Sequence, residues 1–255
     1  MRFCCLGSGS EGNGLVVESG STRILIDCGF TVGETVLRLA RQGIEPESLA
    51  AVLVTHEHGD HLGGVPRFAA RFGLPVWLTH GTLAAANGRL RTVGSVNAFD
   101  GHDPFVIGDI AIAPIPVPHD AREPVQFVFG DGARRLGLLT DLGMSTPHVV
   151  ECLSGCDALV LECNHDPDLL AGSDYPAMLK ARISGRHGHL ANDAAADLLQ
   201  SLDRSRLQHV FAAHLSRQNN RPEFARAALA GALGCTPDWV GIAEQDTGFD
   251  WRDIN

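Results

Sequence analysis

The run Thr-His-Glu-His-Gly-Asp-His occupies residues 55–61, at the end of the short apolar stretch Ala50–Thr55. It contains the pattern His-x-His-x-Asp-His at His56, His58, Asp60 and His61. Side chains two apart on an extended chain point the same way, so His56 and His58 can grip one cation. Asp60 and His61 lie just beyond and can serve a neighbouring ion. A His-rich surface loop would need neither the preceding strand nor the fixed Asp.

Two ions need more ligands than this run supplies. His119 follows Pro116-Val117-Pro118, Asp141 follows Gly137–Thr140, and His214 follows Val210–Ala213. Each is a polar residue at the end of an expected strand, where sites on α/β scaffolds form. Singly, each reads equally well as a capped loop residue. Jointly they complete two metal shells. Imidazole and carboxylate without thiolate suit zinc, and also manganese or iron.

The rest of the chain reads as strands alternating with helices. Strands are expected at Arg2–Leu6, Leu15–Glu18, Thr22–Asp27, Pro75–Leu78, Asp157–Glu162 and Gln208–Ala213. Phe105–Val117 suits two strands around Gly108-Asp109. Gln126–Phe129 and Arg135–Thr140 read as a hairpin turned at Asp131-Gly132. Helical spacing marks Thr31–Gln42, Leu62–Phe72, Tyr175–Ser184, Ala191–Leu202 and Glu223–Leu233. The expectation is one α/β domain over residues 1–255, with two sheets between outer helix layers. A parallel doubly wound sheet is the alternative.

Composition narrows the partners. The chain has 255 residues and a formal net charge of −10, against a broad cationic surface but not against a local basic groove. Lys180 is the only lysine. Arg182 and Arg186 share a face if their helix continues through Gly185. Arg217 and Arg221 follow His214, and arginine suits phosphate because its fork binds two oxygens. Ser8, Ser10 and Asn13 sit in a Gly-rich turn whose amides could also meet phosphate. The seven cysteines include no CxxC pair and read as reduced, mostly buried thiols. No stretch approaches the ~18 apolar residues of a membrane span, and no secretory h-region opens the chain, so a cytoplasmic location without membrane attachment is expected.

In order and spacing, Asp27, the His56–His61 run, His119, Asp141 and His214 resemble the metallo-β-lactamase superfamily, over nearly the whole chain. That resemblance implies the four-layer αββα sandwich, with two mixed sheets. It implies one metal on His56, His58, His119 and Asp141 and another on Asp60, His61, Asp141 and His214, with Asp141 bridging. Asp27 would orient a ligand rather than bind. Leu-Gly-Ser-Gly-Ser-Glu-Gly-Asn at 6–13, Leu161–Asp166, Gly188-His189-Leu190 and His214–Asn220 together resemble the YycJ/WalJ subfamily, which implies a metal-dependent DNA exonuclease. Ser216, Arg217 and Asn219 then join Ser8, Asn13, Arg182 and Arg186 as substrate-binding candidates. The Gly-His pair also resembles ribonuclease Z, where such a His donates a proton while a Glu holds it. The positions here are His189 and Glu162. The long arm with which ribonuclease Z holds tRNA has no counterpart.

The reaction implied is phosphodiester hydrolysis, DNA more than RNA, by a metal-bridging hydroxide, with Asp60 orienting the nucleophile. A leaving alkoxide needs a proton, and an imidazole near pKa ~6.5 held by a carboxylate can give one. His187 competes with His189 for that role, and His165 either contacts substrate or caps a turn. His80, His102, His148 and His209 stand outside the pattern. Two rival readings remain: a thioester or lactone hydrolase of the glyoxalase type, and a non-catalytic metal-binding regulatory module.

Overall fold

Most strand residues are apolar because both faces of each sheet are covered. The computed structural model describes residues 1–255. The first half lays down β1 (Arg2–Gly7), β2 (Gly14–Ser19), β3 (Thr22–Ile26), α1 (Val32–Arg41), β4 (Ala51–Leu53), α2 (Gly59–Leu62), α3 (Val65–Phe72), β5 (Val76–Thr79), α4 (His80–Ala85) and β6 (Val96–Phe99). The second half begins with β7 (Phe105–Ile107), β8 (Ile110–Pro116), β9 (Val125–Gly130), β10 (Arg135–Leu139), α5 (Pro147–Leu153) and β11 (Ala158–Glu162). It continues through α6 (Pro167–Gly172), α7 (Ala177–Ile183), α8 (Asn192–Ser201), β12 (His209–Ala213), α9 (Pro222–Leu233) and β13 (Gly241–Ile242). The last strand, β14 (Phe249–Asp253), returns to the first sheet.

Two seven-stranded sheets result, in the orders β14-β1-β2-β3-β4-β5-β6 and β13-β12-β11-β10-β9-β8-β7. Each starts antiparallel, β1 to β3 and β7 to β10, and continues parallel through helical crossovers. Both sheets are therefore mixed, and the doubly wound alternative does not hold. Three apolar layers separate four layers of structure. Phe3, Val17, Ile24, Phe127, Phe129 and Phe211 fill the space between the sheets. Leu39 of α1 and Phe68 of α3 cover the outside of the first sheet. Leu153, Leu198 and Leu229 of α5, α8 and α9 cover the second. Each fully buried side chain of this size stabilises the fold by roughly 1.5–3 kcal/mol. All seven cysteines are free, five of them buried. No helix is long and apolar enough to cross a membrane.

Several boundaries differ from expectation. The hairpin between β9 and β10 turns through four residues, Asp131–Arg134, because Arg135 pairs with Gly130. Asp131 shapes that loop by accepting hydrogen bonds from the Ala133 and Arg134 amides. The helix expected from Tyr175 starts only at Ala177, after Pro176, and ends at Ile183. Arg186 therefore lies beyond it and shares no helix face with Arg182. The preceding α6, capped by Asp166, has no strong periodic signal in the sequence.

The helix expected from Leu62 to Phe72 is broken into α2 and α3 at Gly63-Gly64. Gly64 donates its amide to the Cys28 carbonyl at 2.7 Å, and a Cβ there would run into the Phe30 carbonyl oxygen. This close crossing fixes the metal-binding run against the β3–α1 loop. Gly64→Ala is expected to cost about 1–3 kcal/mol. In a chain of this size that lowers the melting temperature by several degrees, at about 2–4 °C per kcal/mol. An unchanged melting curve would show that the crossing yields easily.

Candidate metal centre

The predicted ligands gather where strands end. Asp27 follows β3, the 55–61 run follows β4, His119 follows β8, Asp141 follows β10 and His214 follows β12, while Glu162 is the last residue of β11. Asp27, Asp141 and His214 have left-handed backbones, with φ of 58°, 53° and 55°. Asn87 is the only other non-glycine residue with positive φ. Such conformations cost about 1–3 kcal/mol each and persist where surrounding structure over-determines them. Here they turn the chain sharply and aim three acidic or imidazole side chains at one place.

Hydrogen bonds then orient the rings. Nδ1 of His61 lies 2.8 Å from Asp27 Oδ2, Nδ1 of His119 lies 3.0 Å from the Gly188 carbonyl, and Nδ1 of His214 lies 3.1 Å from Glu162 Oε1. Each partner is an acceptor, so Nδ1 carries a proton and Nε2 is the nitrogen turned toward the centre. His56 Nδ1 is held by the Thr55 hydroxyl at 3.0 Å, and Asp27 binds both the amide and the hydroxyl of Thr55. Asp27 thus orients without joining the centre. His58 is turned the other way, with Nδ1 placed 3.3 Å from His119 Nε2.

The donor atoms converge in overlapping groups. His56, His58 and His119 form one, and Asp60, His61 and His214 form another. Asp141 groups with His56 and His61 on one side and with Glu162, His189 and His214 on the other, where His189 Nδ1 is taken up by Glu162. His61 Nε2 lies 2.9 Å from Asp141 Oδ2 and 3.4 Å from Asp60 Oδ2, and His214 Nε2 lies 3.4 Å from Asp60 Oδ2. His56 Nε2 is buried with no hydrogen-bond partner, and buried Asp141 Oδ2, though close to His61 Nε2, makes no well-aligned hydrogen bond. A buried polar atom left unpaired costs about 1–3 kcal/mol, so lone pairs facing one another here fit divalent cations.

Electrostatics follow the same division. Burial and the neighbouring His61 push His56 well down, and burial lowers His119, so both stay neutral and able to donate a lone pair. Burial disfavours charge on His61 and His214, but Asp141 and its neighbouring carboxylates outweigh it and raise both, His214 to about 10. Asp60 and Asp141 are likewise held far below the usual carboxylate range, against the cost of burial, by His61 and His214.

Glu162 is fully buried and saturated. Its Oε2 accepts the Leu142 amide at 2.7 Å and the Leu190 amide at 3.2 Å. Its Oε1 meets His189 Nδ1 at 2.9 Å and His214 Nδ1 at 3.1 Å. One carboxylate therefore orients two rings, which the sequence reading assigned to His189 alone. These contacts overcome burial and bring its pKa to about 2. The His189 side chain is 23% exposed and its Nε2 has no protein partner, so that edge faces the opening. His189 stays raised above a free imidazole because Glu162 outweighs burial.

Other expected residues are placed differently. Ser8 and Asn13 are buried under the centre: Ser8 Oγ accepts the His214 amide, and Asn13 Nδ2 lies 3.1 Å from His61 Nε2. Asn219 is buried, and Ser216 Oγ accepts its amide. Arg217 is exposed and paired with both Glu11 and Asp246. Arg182 reaches Asp120 at 2.6 Å, and Arg186 meets Met144 Sδ. Asp120, beside His119, escaped the sequence reading. His187 is exposed and touches none of these groups, and His165 is buried with Nδ1 unpartnered.

The profile of the beta-lactamase superfamily domain matches residues 22–210. The chain belongs to the metallo-β-lactamase superfamily. Within that superfamily it is YycJ/WalJ-like. It is 32% identical to exodeoxyribonuclease YycJ of Bacillus anthracis over 235 residues, 91% of this chain and 89% of that one. It is 30% identical to exodeoxyribonuclease WalJ of Streptococcus pneumoniae over 94% of this chain and 91% of that one. Among solved structures, the metallo-β-lactamase fold protein YhfI from Bacillus subtilis superposes with a TM-score of 0.76 at 18% identity, covering 99% of both chains. The superfamily's fold and its divalent-metal hydrolase chemistry agree with the convergent His and Asp groups.

Proposed function

We propose that residues 1–255 form one hydrolase domain that cleaves phosphodiester bonds, acting as an exonuclease on DNA in preference to RNA. The observation that carries this reading is His189, held by Glu162 with its Nε2 free beside the clustered metal donors. A nucleoside alkoxide needs a proton to leave, and a carboxylate-held imidazole of raised pKa supplies one. The exodeoxyribonuclease relatives support the DNA end as substrate.

His56, His58, His119 and Asp141 would hold one divalent ion, and Asp60, His61, Asp141 and His214 a second, with Asp141 shared. Zinc suits this donor set best, with manganese or iron also accommodated. When bound, the ions lower the pKa of a water and stabilise charge developing on the phosphoryl oxygens. Asp60, 23% exposed and held as a carboxylate, accepts a hydrogen bond from the attacking water and orients it. Glu162 fixes the His189 ring, and His189 passes its proton from Nε2 to the leaving oxygen.

Because Glu162 also holds His214, Glu162→Gln is expected to lower both turnover and metal retention, by about 10–100-fold in metal affinity or activity. Metal content measured beside turnover checks this. Full retention would leave Glu162 serving His189 alone. The function itself is tested by offering metal-loaded protein end-labelled DNA, RNA and a thioester. Nucleotide release from DNA is the expected result. Faster thioester hydrolysis, or no turnover at all, would overturn the reading.

A further inference from the structure

The chain is acidic overall, yet four exposed arginines stand along one side of the metal centre. Arg89 Nη2 donates to the Glu57 carbonyl at 3.0 Å, and the Arg122 amide donates to Glu57 Oε1 at 2.8 Å. Glu57 sits between His56 and His58. His58 faces Asp120 at 3.9 Å, and Asp120 Oδ2 binds Arg182 Nε at 2.6 Å. Arg186 lies against the Gly143 backbone, whose amide donates to the carbonyl of Pro118, next to His119. These contacts place the four residues around the opening on the side of His58 and α7, Arg89 and Arg182 through their side chains and Arg122 and Arg186 through their backbones.

Three of them, Arg89, Arg122 and Arg186, have no carboxylate within 4.0 Å. Arg182 spends only Nε on Asp120, and its side chain is 60% exposed. Its two Nη groups remain free to take a phosphate fork. On the loop after His214, Arg221 turns Nη1 back onto the Asn220 carbonyl at 2.6 Å. Arg217 has Nη1 on Glu11 and Nη2 on Asp246, so both ends of its fork are already occupied.

We infer that the nucleic-acid backbone leaves the metal centre across the Arg89–Arg122–Arg182–Arg186 side, with Asp120 positioning Arg182, and not across the Arg217 side. This rests on the phosphodiesterase reading above and assigns the track that the strand follows. Phosphate contacts of this kind release counterions, so they show in the salt dependence of binding rather than in sequence preference.

The test is fluorescence anisotropy of a labelled single-stranded phosphorothioate oligonucleotide, which keeps the charge but resists cleavage. Binding to metal-loaded protein is measured across a salt series. Each lost single-strand phosphate contact makes the log–log slope shallower by about 0.7. The Arg122→Gln/Arg182→Gln pair should therefore lose about 1.4 in slope, while Arg71→Gln, which removes one such charge on α3, keeps the wild-type slope and does not lose the roughly 0.7 that one lost contact would cost. All of these side chains are exposed, and melting curves confirm that the variants fold. Wild-type binding with an unchanged slope in the double variant overturns the track alone, as does loss of slope in Arg217→Gln instead. No salt-dependent binding by the wild type overturns the nucleic-acid reading and the track with it.

Discussion

Asp141→Ala is expected to leave the purified chain with little metal and to lower phosphodiester hydrolysis by more than about 10²-fold. Changing a partner that merely orients a ligand already costs 10–100-fold. Asp141 is a stronger case, because its buried carboxylate lies among the donors of both groups. Its loss weakens both shells at once, whereas His58→Ala or His214→Ala touches one. Asp141→Asn separates charge from shape, since asparagine tolerates the left-handed backbone found at this position. It should fold better than the alanine variant and still bind metal poorly. Elemental analysis of protein purified without chelator reads the result. If His61→Ala empties both positions while Asp141→Ala leaves both filled, the shared carboxylate has been assigned to the wrong residue.

His189→Ala should keep its metal and lose about 10²–10⁴-fold in turnover on DNA. The loss on bis(p-nitrophenyl) phosphate should be much smaller, because nitrophenolate leaves without a proton. The pH profile carries the same information. A proton donor must be protonated, and Glu162 raises the His189 pKa. Wild-type activity on DNA is therefore retained through ~6.5, the value for a free imidazole, and falls at higher pH as the proton is lost. That alkaline limb should be absent from the variant. Equal losses on the two substrates would leave His189 as a phosphate-binding or structural residue.

What the sequence made legible was local or strand-bound. His56, His58, Asp60 and His61 share one short run, and His119, Asp141 and His214 each follow an apolar strand, so their convergence could be inferred strand by strand. The two-sheet architecture was legible for the same reason, from short apolar runs divided by turns. What escaped depended on which loops meet. Asp120 has no motif, and its importance comes from Arg182 arriving from α7. The second duty of Glu162 comes from the β11 end lying between the loops that carry His189 and His214. Ser8 and Asn13 looked like phosphate ligands because they sit in a Gly-rich turn, but the structure places them under His214 and His61. The break at Gly64 is likewise a packing event between distant segments, invisible to helical periodicity.

A metal pair acting on a phosphodiester lies at the heart of the proposed reaction. The most direct test is to titrate metal-free protein with zinc or manganese while following nucleotide release from end-labelled DNA. Activity should be negligible without metal, rise with added ion and level off at two equivalents per chain, the same count that elemental analysis finds in the loaded protein. Full activity at one equivalent, unchanged by further metal, would contradict the paired centre, and hydrolysis undiminished by complete metal removal would contradict the mechanism as a whole.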